Sequence, residues 1–266
     1  MTNIKISPNN IRKTILKMAY SGSSVHIGCA MSLVEIFSIL YGKFVKYPNN
    51  NLNHKKRDYI ILSKGHGVMA QYACMYELGW LKKKEINNYF SDGSELKGLS
   101  DSRVKGLEVS SGSLGHGLSV ACGIALGLKI NKSKQKIFCI VGDGEINEGS
   151  IWEAILFSSH HKLHNLTIIV DVNGYQALGK TNDIVSLGNL SSKLTSFGLN
   201  VHSIDGHNIS MLEKTIKRLL KNKNAPNAIL AKTIKGKGIP FMENNNDWHY
   251  KRLDRLTYEK ALSFLI

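Results

Sequence analysis

The sequence predicts an α/β fold with a mainly parallel sheet and helices on both faces. Two observations carry this. Short apolar runs alternate along the chain with segments of helical apolar spacing. The runs at 137–141 and 166–170 are continuous in apolar residues, as strands covered on both faces are.

The elements follow in order. Residues 9–20 and 32–44 have helical apolar spacing. Tyr59 to Leu62 is a short strand after the polar stretch Asn49 to Arg57. Val68 to Leu78 and Leu114 to Leu128 read as helices. Gly115, Gly117, Gly123 and Gly127 in the second predict close packing against another element. Strands at 137–141 and 166–170 flank a helix over Ile146 to His161, where Ile151, Trp152, Ile155 and Leu156 mark the apolar side. Val201–Ile204 and Ala228–Ala231 predict two more strands, with Leu212 to Leu220 as the helix between them. Leu256 to Leu265 predicts a closing helix. There is no repeat, low-complexity linker or Pro-rich hinge. Residues 1–266 read as one domain, with neither end cutting through an element.

Composition narrows the class. Apolar residues make up 42% and charged residues 21%, as in an ordinary globular protein. No run approaches the ~18–20 apolar residues of a membrane span, and Met1 to Asn10 lacks a signal-peptide core. Cys29, Cys74, Cys122 and Cys139 form no metal-type pair, which predicts reduced thiols and a cytoplasmic protein. The net charge of +15 comes from lysines scattered among asparagines, with no nucleic-acid-binding motif. That field favours phosphorylated substrates or an acidic partner subunit.

The chemistry concentrates after the second and third strands. Gly142-Asp143-Gly144-Glu145-Ile146-Asn147-Glu148-Gly149 follows one, and Asp171-Val172-Asn173 ends the other. Open α/β sheets place ligands at such carboxyl ends. Gly142 and Gly144 would let backbone approach a phosphate, and the next helix would aim its N-terminus at the anion. Asp143 and the Asn173 side-chain oxygen suit Mg²⁺. A lone Gly-Asp-Gly is equally an ordinary turn; the order strand, turn, helix, strand, Asn points to a diphosphate held through a divalent cation. Other loops add candidates: Gly22-Ser23-Ser24-Val25-His26-Ile27-Gly28, Ser63-Lys64-Gly65-His66-Gly67, Ser111-Gly112-Ser113-Leu114-Gly115-His116-Gly117, Lys232 to Gly238, and Asp247-Trp248-His249-Tyr250. Taken singly, each also fits a helix cap or a surface turn.

Taken in order, GSSVHIG, LSKGHG, SSGSLGHGL, GDGEINEGSIWEA, DVNGYQALG, DGHN, KTIKGKG and WHYK resemble the N-terminal subunit of a split transketolase, over about residues 9 to 260. The resemblance implies a thiamine diphosphate-binding fold with thiamine diphosphate and Mg²⁺ as cofactors. It implies that Asp143, Asn173 and the Tyr175 carbonyl bind Mg²⁺. It places His66, Gly142, Gly144 and His249 near the diphosphate, and Gly112, Ser113 and Leu114 near the aminopyrimidine. It implies that His26 and His249 face the sugar and the reacting carbon, moving protons with near-neutral pKa values. It matches Glu148 to a glutamate between paired active sites, although a helix N-terminus also attracts such a charge.

The implied reaction transfers a two-carbon ketol unit from a ketose or ketose phosphate to an aldose. The resemblance covers only the diphosphate-binding domain, so it also implies a separate C-terminal, pyrimidine-binding subunit and an α₂β₂ assembly. One departure bears on substrate: where the family has a donor-contacting histidine, Gly98-Leu99-Ser100-Asp101 has Leu99. The residues leave open a deoxyxylulose-phosphate synthase-like or 2-oxo acid dehydrogenase-like subunit, and a non-catalytic scaffold or basic nucleic-acid-associated protein.

Overall fold

Five strands pair in the order β1-β2-β3-β5-β4, every neighbour parallel. They are β1 (Tyr59–Leu62), β2 (Ile137–Gly142), β3 (Leu166–Val172), β4 (Asn200–Asp205) and β5 (Asn227–Lys232). The computed structural model describes residues 6–22 and 25–265. Ser23 and Ser24 of the first histidine loop lie outside the described residues.

Both sheet faces are covered, which explains the unbroken apolar runs. Ile60, Leu62, Phe138, Ile140, Ile169 and Ile229 join one core, with Ile15 of α1 (Pro8–Ser21), Phe37 of α3 (Val34–Ile39), Met69 of α4 (Val68–Glu77) and Leu212 of α10 (Ile209–Leu219). The alternate residues Ile61, Cys139, Val141, Ile168, Val170 and Leu230 join the other. There they meet Leu118 of α6 (His116–Ile130), Ile151 of α7 (Gly149–His160) and Leu194 of α9 (Leu190–Ser196). Each fully buried Ile or Leu contributes ~1.5–3 kcal/mol to this packing. The remaining helices are α2 (Ile27–Met31), α5 (Lys83–Asn87), α8 (Thr181–Ile184) and α11 (Arg255–Ser263). None of the described helices is long and apolar enough to cross a membrane.

Several sequence expectations need correction. The helix expected over 32–44 is α3 followed by a π-helical turn at Leu40–Phe44. The helix expected from Ile146 is a 3₁₀ turn, Gly144–Asn147, followed by α7 from Gly149, because Glu148 is extended (φ −71°, ψ 131°). The 3₁₀ turn, not an α-helix N-terminus, therefore stands at the end of β2. Neither Gly142 nor Gly144 has a positive φ. Close packing holds for Gly117, where a Cβ would stand 2.6 Å from Ser63 Cα, but a Cβ on Gly123 or Gly127 would meet nothing within 4 Å. The short helices α5, α8 and α9 have too few turns to show a periodicity.

Because every strand runs the same way, the loops after β1, β2, β3, β4 and β5 gather at one sheet edge. Isolated bridges join Val25 to Lys251, Ser100 to Ser111 and Tyr175 to Lys180. Chain segments far apart in sequence are thus drawn together there.

Candidate active site

Two buried carboxylates face different fates at adjacent strand ends. The register pairs Gly142 with Asp171, and the Asp143 amide donates to the Asp171 carbonyl at 3.2 Å. The Asp171 side chain is saturated. Its Oδ2 accepts from Lys64 Nζ at 2.5 Å, Ser32 Oγ at 2.7 Å and Asn173 Nδ2 at 3.0 Å. Thr233 donates its hydroxyl to Oδ1. Burial opposes the Asp171 charge, but Lys64 and these donors hold its pKa below the usual range. Asp143 has only Gly144 N (2.9 Å) on Oδ1, and Gly174 N (2.7 Å) and Thr181 Oγ1 (3.2 Å) on Oδ2. Burial and the Asp171 charge push its pKa up to about 6. Among the described residues it has no ion-pair partner.

Asn173 is oriented by that neighbour. Its Nδ2 is committed to Asp171, which turns Oδ1 the other way, where it accepts from Tyr175 N at 3.0 Å. Asp143, Asn173 and Tyr175, the three expected metal residues, therefore lie on two touching loops. Among the described residues no three His, Cys, Asp or Glu side chains converge on a metal position. The donors that do converge are hard oxygens, which fit Mg²⁺ completed by phosphate oxygens and water.

Glu145 is a hub that the sequence reading missed. Its Oε1 accepts from Gly115 N at 2.8 Å and from the Ser63 hydroxyl, and its Oε2 accepts from Gly142 N at 3.0 Å. It ties the ends of β1 and β2 to the start of α6, and burial raises its pKa. Gly115 has φ +87°, and a Cβ there would stand 2.9 Å from Glu148 Cβ. Gly65 lies so close to Ser111 that a Cβ would sit 1.8 Å from the Ser111 carbonyl oxygen.

Three expected histidines meet. Ring centroids are 5.3 Å apart for His26–His66, 5.2 Å for His26–His249 and 5.9 Å for His66–His249. Lys235 is buried beside them. Its Nζ donates to His249 Nδ1 at 2.8 Å and Asn246 Oδ1 at 2.6 Å, which leaves the His249 proton on Nε2. The expectation of near-neutral histidines is corrected for the chain by itself. Burial, then Lys235, lower His26 to about 4 and His249 to about 3. Burial and Lys64 carry His66 well below its ordinary value.

The other expected residues lie at the rim. Gly112 and Ser113 are exposed and Leu114 is half-buried, on the loop that Ser100 and Ser111 bridge. Leu99 stands beside them, 3.0 Å from where a Gly112 Cβ would be. Glu148 is exposed at the N-cap of α7, outside the histidine and carboxylate clusters, and makes no side-chain capping bond. A further donor comes from Gln176. Its side chain lies against Gly144, and its buried Nε2 has no partner among the described residues. An unpaired N–H beside a glycine, next to a carboxylate without a cation, fits a diphosphate and its metal.

The profile described as "Transketolase, thiamine diphosphate binding domain" matches residues 5–257. One of the two subunits of an apulose-4-phosphate transketolase from Actinobacillus succinogenes is 38% identical over 90% of this chain and 87% of that protein. Human transketolase is 32% identical over 97% of this chain but 41% of its own length. The solved transketolase from Campylobacter jejuni superposes with a TM-score of 0.92 at 26% identity, over 100% of this chain and 43% of that one. The chain thus spans about two-fifths of full-length transketolases and most of the separately encoded subunit. Fold, site and likeness agree: the chain belongs to the transketolase family and carries its thiamine diphosphate-binding domain.

Proposed function

We propose that residues 1–266 form one domain acting as the N-terminal subunit of a split transketolase. With a separate C-terminal subunit, it transfers a two-carbon ketol unit from a ketose or ketose phosphate to an aldose. The observation that carries this reading is the contrast between Asp171, neutralised by Lys64 at 2.5 Å, and Asp143, buried without a cation beside three histidines. The names of two relatives support the division into subunits: an apulose-4-phosphate transketolase subunit at 38% identity, and a 6-deoxy-6-sulfo-D-fructose transketolase subunit from a Clostridium strain at 34%.

Thiamine diphosphate supplies the stabilised carbanion beside a carbonyl that ketol transfer requires. The chain's own residues bind, orient and move protons. Asp143, Asn173 Oδ1 and the Tyr175 carbonyl hold Mg²⁺. Gly142, Gly144, His66, His249 and Gln176 Nε2 face the diphosphate, and Gly112, Ser113 and Leu114 line the aminopyrimidine. His26 and His249 exchange protons with substrate oxygens. Both start neutral, and an anionic diphosphate offsets Lys64 and Lys235 and raises their pKa values. Glu148, exposed on this chain, is assigned to the contact between paired active sites of an α₂β₂ assembly. Both named subunit relatives act on sugars with specialised ends. The net charge of +15 suits an anionic sugar, and Leu99 supplies an apolar wall at the rim.

Titration calorimetry on the chain with its partner subunit tests the reading. Thiamine diphosphate uptake requires Mg²⁺ and weakens by ~10–100-fold or more in Asp143→Ala, at least the effect of losing an outer-shell partner. Uptake indifferent to EDTA and to Asp143→Ala sinks the cofactor assignment. Ketol transfer by the lone chain sinks the need for a partner.

A further inference from the structure

The Asp205-Gly206-His207-Asn208 turn after β4 has no part in the assignment above, yet His207 joins two elements of the site's foundation. Its Nδ1 lies 2.8 Å from Glu35 Oε2, and its Nε2 accepts from the Ile234 amide at 2.8 Å. An imidazole accepting at Nε2 beside a carboxylate at Nδ1 is neutral, with its proton on Nδ1. Glu35 also accepts from Arg12 Nη2 at 2.7 Å on its other oxygen. Burial opposes the Glu35 charge, but the His207 hydrogen bond and the Arg12 charge lower its pKa overall.

Arg12 reaches onward as well. Its Nε donates to the Lys237 carbonyl at 2.9 Å. Gly238, at φ +96°, leaves the room for it, since a Cβ there would stand 2.6 Å from Arg12 Nε. One buried carboxylate therefore clips the 234–237 segment at both ends, through His207 at Ile234 and through Arg12 at Lys237. Between the clips lies Lys235, which donates to His249 Nδ1 at 2.8 Å. Just before them lies Thr233, which donates to Asp171. A third hold, Gly236 N to the Gly28 carbonyl at 3.0 Å, fixes the middle of the segment but not the register of Ile234.

We propose that His207 is a positioning residue: its Nε2 latches the Ile234 amide and so sets Lys235 against His249 and Thr233 against Asp171. The catalytic consequence rests on the site reading above, but the latch itself does not.

Two variants of the full chain separate latch from scaffold. His207→Asn keeps an N–H where Nδ1 stands, for Glu35, and has nothing at the Nε2 position. His207→Gln places a carbonyl oxygen toward Nε2, for Ile234. Amide exchange and ¹⁵N spectra of the histidine rings provide the readout. In His207→Asn, Ile234 exchange is expected to quicken about tenfold, the weight of one buried hydrogen bond. The His249 Nδ1 resonance moves, while β2 and β3 amides stay protected. In His207→Gln both signals remain close to wild type. If His207→Asn changes neither, or His207→Gln disturbs both equally with the strands intact, the latch is rejected. The wild-type spectrum is decisive even if a variant fails to fold: a His207 proton on Nε2 overturns the proposal, and one on Nδ1 alone supports it. A wild-type chain that takes up no thiamine diphosphate with its partner defeats the proposed function, while these spectra still decide the latch.

Discussion

Replacing Glu145 with alanine removes one acceptor group from three donors: Gly115 N at 2.8 Å, Gly142 N at 3.0 Å and the Ser63 hydroxyl. The hydroxyl can rotate to another acceptor, but the two backbone N–H groups cannot. Each buried donor left unpaired costs ~1–3 kcal/mol. Part is returned, because the burial that raises the Glu145 pKa also penalises its charge. The net loss is about 2–4 kcal/mol. At roughly 2–4 °C per kcal/mol for a chain near this size, the melting temperature falls by about 5–15 °C. Glu148→Ala is the control from the same motif. Its side chain is exposed and makes no cap bond, so its effect stays within about 0.5 kcal/mol. Thermal melts by circular dichroism on the isolated chain compare the two. A Glu145→Ala melt within about 2 °C of wild type, or a larger drop for Glu148→Ala, would refute Glu145 as the tie between these loops.

Lys64→Met leaves Asp171 buried without its cation and is expected to cost ~3–5 kcal/mol in urea unfolding; a loss below about 1 kcal/mol counts against the pair as a structural element. Gly65→Ala brings a Cβ to 1.8 Å from the Ser111 carbonyl oxygen, so the β1 loop must shift, and a wild-type urea midpoint argues against that close approach. His26 and His249 are depressed to about 4 and about 3, chiefly by burial, against an ordinary 6.5. As pH falls below 6.5 the unfolded chain takes up these protons first, so stability present above 6.5 is lost progressively toward pH 4. Allowing for partial exposure, each histidine contributes ~1–2 kcal/mol to that loss. Urea midpoints at pH 7 and pH 5 should differ in wild type and converge in His26→Gln/His249→Gln; an unchanged pH dependence in the double variant contradicts the assignment.

Much of the fold was legible because burial on two faces leaves a coarse trace. Ile137 to Val141 and Leu166 to Val170 could hardly be anything but central strands. The order β1-β2-β3-β5-β4 left no trace, because β4 and β5 differ from an edge pair elsewhere only in which helices cover them. Asp143, Asn173 and the three histidines were legible through spacing within loops that follow strands. Glu145 was passed over because it differs from Glu148 only in direction: the 3₁₀ turn points one inward, and the extended residue at the start of α7 leaves the other in solvent. Lys235 and Gln176 had no local signal at all. Their roles exist only once the loops after β3 and β5 are brought together.

The two aspartates show why a site of this kind needs its second carboxylate. A single buried carboxylate at a strand end could lower its cost by taking Lys64 as a partner, and would then have no field left for a metal. Asp171 absorbs Lys64 instead, together with the Ser32 and Thr233 hydroxyls. In the same step it fixes the Asn173 amide. Asp143 is left with dipoles alone, and the Asp171 charge beside it raises its pKa further, to about 6. A divalent cation relieves that strain where a proton otherwise would, so cation affinity here is built from the placement of Lys64 as much as from Asp143. Exchanging the partners' roles tests this in a way that deleting Asp143 cannot. Lys64→Met frees Asp171 to compete for the ion, so Mn²⁺ used as a paramagnetic probe should then broaden Ser32 and Thr233 resonances as well as those of Gly174. Broadening confined to the Gly174 loop in the variant, as in wild type, would show that Lys64 plays no part in directing the metal.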